Sequence, residues 1–279
     1  MPNIGVLNGE FLPLEEVRIS VEDRGFQFGD GVYEVIRVYN GTPFRMPEHL
    51  LRLDRSAQAI QLPIEITPEW EKQIIRAIEL SHYDQAKVYI QITRGIAPRE
   101  HVFPLVFSPT IVITVREIAD VPTELKANGV AAITLPDIRW GRCAIKSLNL
   151  LPNILAKQQA SEAKAFEAIL IKNGFVTEGS SSNVMIYHDG VVKTPPLDDS
   201  ILPGVTRQEV LDIAKAEGIG IQETKISQRE LEGAQEVFLV GTTIEVLSVT
   251  TLDGKPVGNG RPGEVTQLLA RKFEARILQ

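Results

Sequence analysis

The chain has 279 residues, of which 43% are hydrophobic and 23% are charged, a composition typical of a globular protein with one large or two modest domains. Its formal net charge of −7 argues against a nucleic-acid partner, which would favour a clustered basic surface. No apolar run approaches the roughly 20 residues that span a bilayer, and no basic segment with an apolar core opens the chain. We therefore expect no membrane partner and a cytoplasmic location.

The inventory of reactive residues is small. The single cysteine, Cys143, excludes an internal disulfide framework and a multi-cysteine zinc site. The four histidines show no HExxH or similar ligand spacing, so we expect no metal. The sequence also lacks the GxGxxG and GxxxxGK[ST] nucleotide-binding loops and the GxSxG element of many hydrolases.

Turn dipeptides are the most frequent local signal along the chain. Such pairs accept the positive φ angles of a type I′ turn, and each lies between β-rich runs, so each predicts a hairpin. The five pairs are Asn8-Gly9, Asn40-Gly41, Asn173-Gly174, Asp189-Gly190 and Asp253-Gly254. Hairpins spread in this way predict antiparallel sheet throughout and argue against a doubly wound parallel fold.

Segments with helical periodicity lie between these strands. It predicts helices at residues 47–60, 68–81, 148–165, 206–217 and 264–277. Because strands and helices are segregated rather than alternating, we expect an α+β fold with mostly antiparallel sheets and flanking helices. We expect a smaller N-terminal domain at residues 1–118, a linker at 119–123 and a larger C-terminal domain at 124–279, with a small-molecule site in the cleft between the domains.

Lys146 lies in the run RCAIKSLN, between a strand-like stretch and a predicted helix. A lysine buried among apolar groups is disfavoured in its charged form, and a neutral amine can attack an aldehyde. Most lysines placed before a helix are simply solvated, so this run alone does not decide the role of Lys146.

Glu178 opens the run EGSSSN, where small hydroxyl residues follow a strand. In a cleft the carboxylate could hold a protonated ring nitrogen, and Ser182 or its neighbours could donate to a phosphate. A flexible loop whose serines bond to their own backbone explains the same residues, and taken alone it is the more frequent case.

Further candidates are basic residues and turns that suit an anion. Arg52 could turn inward to bind phosphate, although its spacing from Glu48 favours an i, i+4 pair on the helix surface. Val205 and Thr206 open a predicted helix whose free N–H groups attract anions. Thr242 follows a strand and offers a hydroxyl group, but a plain helix cap or a strand-ending turn explains these two places equally well.

Arg99 and His101 lie two residues apart in the segment RGIAPREH, so an extended loop would point both side chains the same way. Together with a tyrosine hydroxyl they could clamp a carboxylate. A charged surface loop is the alternative that the segment by itself favours.

The combination of these segments resembles a known family. The runs EDRGFQFGDGVYEVIRVYNG (22–41), HLLRLDRSA (49–57), IRWGRCAIKSLNLLPNILAKQQA (138–160), VTEGSSSNV (176–184) and LPGVTR (202–207) are similar in order and separation to the fold type IV pyridoxal-phosphate aminotransferases. Within that family, Tyr33 in GVYEV and the RGxxxRxHxFP pattern from Arg94 to Pro104 most resemble the bacterial D-amino-acid aminotransferases.

The resemblance implies a role for each matching residue. Lys146 would hold pyridoxal phosphate as a Schiff base and carry the proton between substrate and cofactor, and Glu178 would pair with the ring nitrogen. Residues implied to bind the cofactor are Arg52, Lys146, Glu178, Ser182, Leu202, Val205, Thr206 and Thr242, with Leu202 packed against the ring. Tyr33, Arg99 and His101 would trap the substrate carboxylate, the last two reaching over from the partner subunit of a homodimer.

The implied reaction is ping-pong transamination between a D-amino acid, such as D-alanine or D-glutamate, and a 2-oxo acid. Arg37 resembles an arginine of the branched-chain L-amino-acid aminotransferases, which are the first alternative, unless Arg37 is simply an exposed strand residue. An aminodeoxychorismate lyase is the second alternative. A non-enzymatic α+β binding protein, in which Lys146 is solvated, is the third.

Overall fold

The computed structural model describes residues 3–278, which form two compact units. The first unit extends to Asp120 and takes in Ile145–Asn149, and the second comprises Val121–Ala144 and Leu150–Gln279. The predicted domain bounds of 1–118 and 124–279 stay a prediction. None of the helices within residues 3–278 is long and apolar enough to cross a membrane.

The first unit is built on a six-stranded sheet. Its strands are β1 (Ile4–Leu7), β2 (Glu10–Pro13), β3 (Gly31–Tyr39), β4 (Thr42–Pro43), β5 (Ala86–Thr93) and β6 (Thr110–Glu117). They lie in the order β2-β1-β6-β5-β3-β4, and every pair is antiparallel. The helices of this unit are α1 (Arg24–Phe28), α2 (Met46–Ala59) and α3 (Pro68–Ser81). Helix α2 packs on β3, and α3 packs on β1, β5 and β6.

Five residues from the middle of the chain complete this sheet. Ile145–Asn149 belong to the first unit, and Val32 and Ser147 form an antiparallel bridge. The N–H of Tyr33 donates to the carbonyl of Lys146 at 3.0 Å, and the N–H of Leu148 donates to that of Gly31 at 3.1 Å. This segment therefore extends the edge of β3 at its beginning, where β4 does not reach.

The second unit contains a nine-stranded sheet. Its strands are β7 (Val130–Pro136), β8 (Glu167–Lys172), β9 (Phe175–Gly179), β10 (Asn183–His188), β11 (Val191–Thr194), β12 (Gly220–Glu223), β13 (Glu236–Gly241), β14 (Glu245–Leu252) and β15 (Lys255–Pro256). Eight lie in the order β12-β11-β10-β13-β14-β7-β8-β9, and β15 pairs with β14. The helices are α4 (Thr123–Asn128), α5 (Leu151–Glu162), α6 (Val205–Ala216), α7 (Gln228–Glu232) and α8 (Glu264–Ile277).

All five predicted hairpins are confirmed. In each, the last residue of one strand pairs with the first residue of the next across a two-residue turn. Both turn residues have positive φ, as at Asn173 (53°) and Gly174 (81°), which is the geometry that Asn-Gly and Asp-Gly accept at least cost.

The expectation of antiparallel pairing throughout is wrong for part of the second sheet. Strand β7 runs parallel to both of its neighbours, β8 and β14, and β11 runs parallel to β12. The reason is that α5 lies between β7 and β8 in the chain, and α6 between β11 and β12. A helical crossover returns the chain in the same direction, whereas a tight turn reverses it.

The predicted helices match α2, α3, α6 and α8 to within one residue. The helix predicted at residues 148–165 begins later, at Leu151, because the residues before it pair with β3. Ala156 and Ala160 of α5 pack on Ala168 and Leu170 of β8 in one small core. The main core of the second unit lies on β13, β14 and the neighbouring strands, with Val237, Leu239 and Val249 buried.

Candidate active site

Lys146 is fixed by its backbone rather than by a helix. Its carbonyl accepts from Tyr33, and its N–H donates to the Oγ of Ser56 on α2 at 3.2 Å. The half-buried side chain places Nζ 4.2 Å from the centroid of the Tyr33 ring. The structure therefore brings together two of the predicted site residues, which lie 113 positions apart in the sequence (146 − 33).

The ring of Tyr33 has an aromatic neighbour on the adjacent strand, β5. This ring stacks on that of Tyr89, with centroids 5.6 Å apart and an interplanar angle of 29°. Burial and the nearby Tyr33 raise the pKa of Tyr89 to about 12, so its hydroxyl stays protonated and donates to Gln91 at 2.8 Å. The stacked ring of Tyr89 thereby supports the Tyr33 ring that lies beside Lys146.

Arg52 turns inward from α2 and forms a buried cluster. Its Nε and Nη2 donate to the two oxygens of Glu34 at 2.9 and 2.7 Å, and Nδ1 of His49 lies 3.0 Å from the same carboxylate. The preferred surface pair with Glu48 is wrong, because Arg52 is buried on the face that packs against β3, whereas Glu48 pairs with Arg45 at 3.3 Å.

Burial sets the electrostatics of this cluster. It acts to raise the pKa of Glu34, but Arg52 and His49 outweigh it and hold that pKa far below its usual range. For His49, burial lowers the pKa, and the hydrogen bond to Glu34 only partly opposes this effect. The cluster thus consists of an ionised carboxylate, a guanidinium group and a neutral imidazole.

Arg99 and His101 lie on the exposed loop that follows β5, and both contact one ring. The Arg99 guanidinium lies 4.7 Å from the centroid of Phe28, and the His101 ring meets Phe28 edge-on at 5.6 Å. Within residues 3–278 neither side chain bonds to Tyr33, so a single chain does not assemble the predicted carboxylate trap. Their contribution across a homodimer stays a prediction.

Arg37 is buried, and the reading of it as an exposed strand residue is wrong. It pairs with Asp120 at 2.8 Å and donates to the carbonyls of Ile118 and Ala119 at 3.3 and 3.4 Å. Its guanidinium also lies 5.0 Å from the centroid of Tyr39. These contacts fasten the segment after β6 to β3.

Glu178, at the end of β9, is buried in the second unit and accepts several hydrogen bonds. It accepts from Nη1 of Arg139, from Nδ2 of Asn183 at 3.1 Å and from the N–H of Leu202 at 3.0 Å. Leu202 is thereby held beside the carboxylate. A carboxylate with these partners is well placed to accept one further proton donor.

Arg139 and Asp137 are site residues that sequence reasoning missed. Arg139 donates to both oxygens of Asp137, at 3.0 and 2.8 Å, as well as to Glu178. Burial opposes the charge of Arg139, but Asp137 and Glu178 outweigh it and raise its pKa above the usual value. For Asp137, burial acts to raise the pKa, and Arg139 lowers it overall. The only indication in the sequence was the acid and the base of Asp137-Ile138-Arg139, a few positions before the segment that contains Lys146.

The serine loop, residues 180–182, is bonded to an acid rather than to itself. The hydroxyl groups of Ser180, Ser181 and Ser182 all donate to the buried carboxylate of Glu167, with Ser182 at 2.9 Å. The hydroxyl proton of Ser182 is therefore used in the hydrogen bond to Glu167. The interpretation as a loop with self-bonded serines is wrong, and Glu167 is a third residue that the sequence did not reveal.

Three elements that could bind a phosphate meet at Asn183. This residue pairs with Val240 of β13 and donates to the carbonyl of Leu202 at 3.0 Å, just before α6. A Cβ added at Gly204 would overlap the side chain of Asn183, and one added at Gly241 would lie 3.7 Å from the carbonyl of Ser181. The serine loop, the start of α6 and the turn with Thr242 are therefore neighbours.

The residues present fit a phosphate-bearing cofactor. Helix α6 begins after Gly204 without a side-chain cap, so its first N–H groups and its dipole remain suited to an anion. Thr206 lies in the first turn and Thr242 in the neighbouring turn, and both carry hydroxyl donors. This donor set matches the chemistry of a phosphate monoester.

Comparison with known proteins decides the family. Residues 31–252 match the model of the class IV aminotransferases. The chain belongs to this family. Curated relatives include the D-alanine aminotransferases of Bacillus licheniformis, 42% identical over 98% of this chain and 96% of the relative, and of Staphylococcus epidermidis, 43% identical over 97% and 96%.

Solved structures confirm the fold. The branched-chain amino acid aminotransferase of Escherichia coli superposes with a TM-score of 0.90 at 28% identity, and a second branched-chain enzyme, from T.th. and with pyridoxamine 5'-phosphate, superposes with 0.90 at 30% identity. Each comparison covers 99% of this chain and 94% of the other. The predicted α+β fold type IV architecture and the predicted aminotransferase activity are confirmed. Class IV aminotransferases use pyridoxal phosphate, as the sequence resemblance implied.

Proposed function

We propose that this class IV aminotransferase moves the amino group of a D-amino acid, of the D-alanine or D-glutamate type, to a 2-oxo acid. The observation that carries the proposal is identity of 42–43% with D-alanine aminotransferases over nearly the whole chain. The branched-chain enzymes of similar fold are 28–30% identical. They are the competing candidate, and Arg37, which is buried and pairs with Asp120, is the residue of this chain that resembles them.

Pyridoxal phosphate, when bound, supplies an aldehyde for the amino group and a ring that withdraws electrons from the carbon bearing it. Lys146 would hold the aldehyde through its amine and, once the amino group of the substrate has displaced that amine, would remove and return the proton at the carbon. Tyr33 contributes by orienting Lys146, since its ring lies against Nζ. The amine must face the breaking C–H bond, so the side of the substrate that meets Lys146 decides which enantiomer reacts.

The remaining residues bind and hold charge. Glu178 would accept a hydrogen bond from the ring nitrogen and keep it protonated, and the bond of its carboxylate to Arg139 keeps the carboxylate oriented for this purpose. Arg52, Val205, Thr206 and Thr242 would bind the phosphate, Ser182 would contribute its backbone N–H because its hydroxyl donates to Glu167, and Leu202 would pack against the ring. Arg99 and His101, from the second chain of a homodimer, bind the substrate carboxylate together with Tyr33. We also propose a cytoplasmic location.

A panel of D- and L-amino acids, read by cofactor absorbance, tests the function. D-alanine or D-glutamate should convert the aldehyde-bound form to the amine form, and a 2-oxo acid should reverse the change. Because the cofactor stores the amino group between two half-reactions, initial rates should follow a ping-pong pattern. Conversion by L-leucine but not by D-alanine would move the assignment to a branched-chain enzyme. Light scattering after gel filtration should give the mass of a dimer.

A further inference from the structure

The short helix α1 supports the loop that carries Arg99 and His101. Asp23 caps α1 by accepting from the N–H of Gly25 at 2.8 Å, and Gly29 ends it with a φ of 70°. Asp23 also accepts from Thr93 at the end of β5 at 2.9 Å. The helix and its last side chain, Phe28, are thus tied to the sheet.

The ring of Phe28 contacts three side chains, those of Arg24, Arg99 and His101. The ring lies 4.7 Å from the Arg99 guanidinium and 5.0 Å from that of Arg24, and it meets His101 edge-on at 5.6 Å. Arg99 also donates to the carbonyl of Gln27 at 3.1 Å. A guanidinium carries five N–H groups, so those of Arg99 that do not donate to Gln27 stay available for a carboxylate.

Arg24 fixes the backbone of the loop that carries Arg99 and His101. Its Nη1 donates at 2.5 Å to the carbonyl of Glu100, the residue between Arg99 and His101. Its Nε donates to Asp30 at 2.8 Å, and Asp30 is held in turn by Arg94 at 2.9 Å. Arg24 and Arg94 are buried, at 3% and 1% exposure, so this support is rigid.

The two loop side chains lack the partners that surface charges usually find. Within residues 3–278 neither Arg99 nor His101 forms an ion pair with a carboxylate, although the chain contains 36 acidic residues. They are held in place by an apolar ring instead. A guanidinium that is oriented but has no acidic partner is suited to bind an anionic ligand.

We propose that Phe28 is a positioning residue for recognition of the substrate carboxylate. Its ring fixes Arg99 and His101 at one spacing before the amino acid arrives, so binding does not have to order two mobile side chains. This inference rests on the proposed function, in which these two residues bind the carboxylate. In this role Phe28 acts through Arg99 and His101.

Kinetics of Phe28→Leu, purified with bound cofactor, test the proposal. The substitution keeps an apolar group and removes the aromatic face. We expect KM for D-alanine to rise about tenfold, a change of about 1.4 kcal/mol that lies within the range of cation–π contacts, while kcat and cofactor content stay unchanged. Phe28→Tyr retains the ring and should restore the KM. Phe26→Leu, on the exposed face of the same helix, is the matched control.

A double-mutant cycle separates positioning from a general structural role. In an Arg99→Ala, His101→Ala background, Phe28→Leu should raise KM no further, because its effect acts through those two side chains. An equal rise in that background, or a loss of kcat and cofactor in place of a rise in KM, would overturn the proposal. If Arg99→Ala raises KM and Phe28→Leu does not, only this inference fails. If the unaltered enzyme does not turn over D-alanine, the proposed function fails.

Discussion

Glu34 on β3 and Arg52 on α2 form a buried two-point ion pair, with both carboxylate oxygens within 2.9 Å of the guanidinium. The pair joins a strand to the helix that covers it, and it holds the arginine that we propose as a phosphate ligand. Its geometry orients the guanidinium plane, so the strand residue decides where the helix residue can donate.

Glu34→Gln should therefore destabilise the protein. Removing one member of a buried pair leaves the other charge without compensation, which typically costs about 3 kcal/mol in the free energy of unfolding. Urea unfolding followed by circular dichroism measures the loss. Glu48→Gln on the exposed side of α2 is the control and should change stability by less than about 0.5 kcal/mol. Equal effects of the two substitutions would contradict the importance of the buried pair.

The same cluster predicts how stability depends on pH. The pKa of His49 in the folded protein lies below the ordinary 6.5, so on acidification the unfolded chain takes up this proton first. The free energy of unfolding then falls as the pH falls below about 6.5. Glu34, whose pKa is also lowered, adds stability that is present above about pH 4.5 and is lost as the pH falls further.

Thermal midpoints at about pH 7 and about pH 5.5 isolate the histidine contribution, because Glu34 is ionised at both. The unaltered enzyme should lose more stability between these two values than His49→Asn does. His82→Asn, at an exposed position, serves as the control and should behave like the unaltered enzyme. A His49→Asn variant with the full pH dependence would show that other groups cause it.

Lys146→Ala should abolish turnover and leave the fold intact. The side chain is half-buried against Tyr33, and its backbone bonds to β3 and α2 do not depend on the amine. Turnover of D-alanine and the circular dichroism spectrum are the two measurements. Lys72→Ala, on the surface of α3, should keep full activity. Transamination at a near-normal rate by Lys146→Ala would rule out the proposed role.

Glu178→Gln should slow proton removal by at least about a hundredfold, because the neutral amide no longer favours a protonated ring nitrogen. Arg139 keeps Asp137 as its acidic partner, and glutamine keeps one carbonyl oxygen for Asn183 or Leu202, so the local structure should survive. The rate of the absorbance change in a single turnover with D-alanine reports the step. A rate within about twofold of the unaltered enzyme would remove Glu178 from the mechanism.

Local chemistry determined most of what the sequence predicted correctly. An Asn-Gly or Asp-Gly pair sets its own φ angles, and proline marks the first turn of α2 and α3, so hairpins and helices could be placed from neighbouring residues. The parallel pairing of β7 could not be predicted from neighbouring residues, because its partners β8 and β14 are brought to it by tertiary packing.

Contacts between distant residues limited the prediction of the site. Arg52 has an acid four residues away, yet it pairs with Glu34, 18 positions back. Glu167 and Arg139 act on residues that lie 15 and 39 positions further along the chain, Ser182 and Glu178, and no local pattern signals such contacts. Family resemblance supplied Lys146 and Glu178, but the residues that orient them became visible only in the structure.

The return of residues 145–149 to the first sheet has a consequence for biosynthesis. The edge of β3 at Gly31 and Tyr33 is filled by residues made more than a hundred positions later. While the ribosome is adding the intervening chain, this strand edge is bare and open to wrong pairing. The first unit can be completed only when Asn149 has emerged, and the lysine arrives with the segment that closes the sheet. Completion of the N-terminal sheet and placement of the amine that we propose as the reactive group are therefore one event.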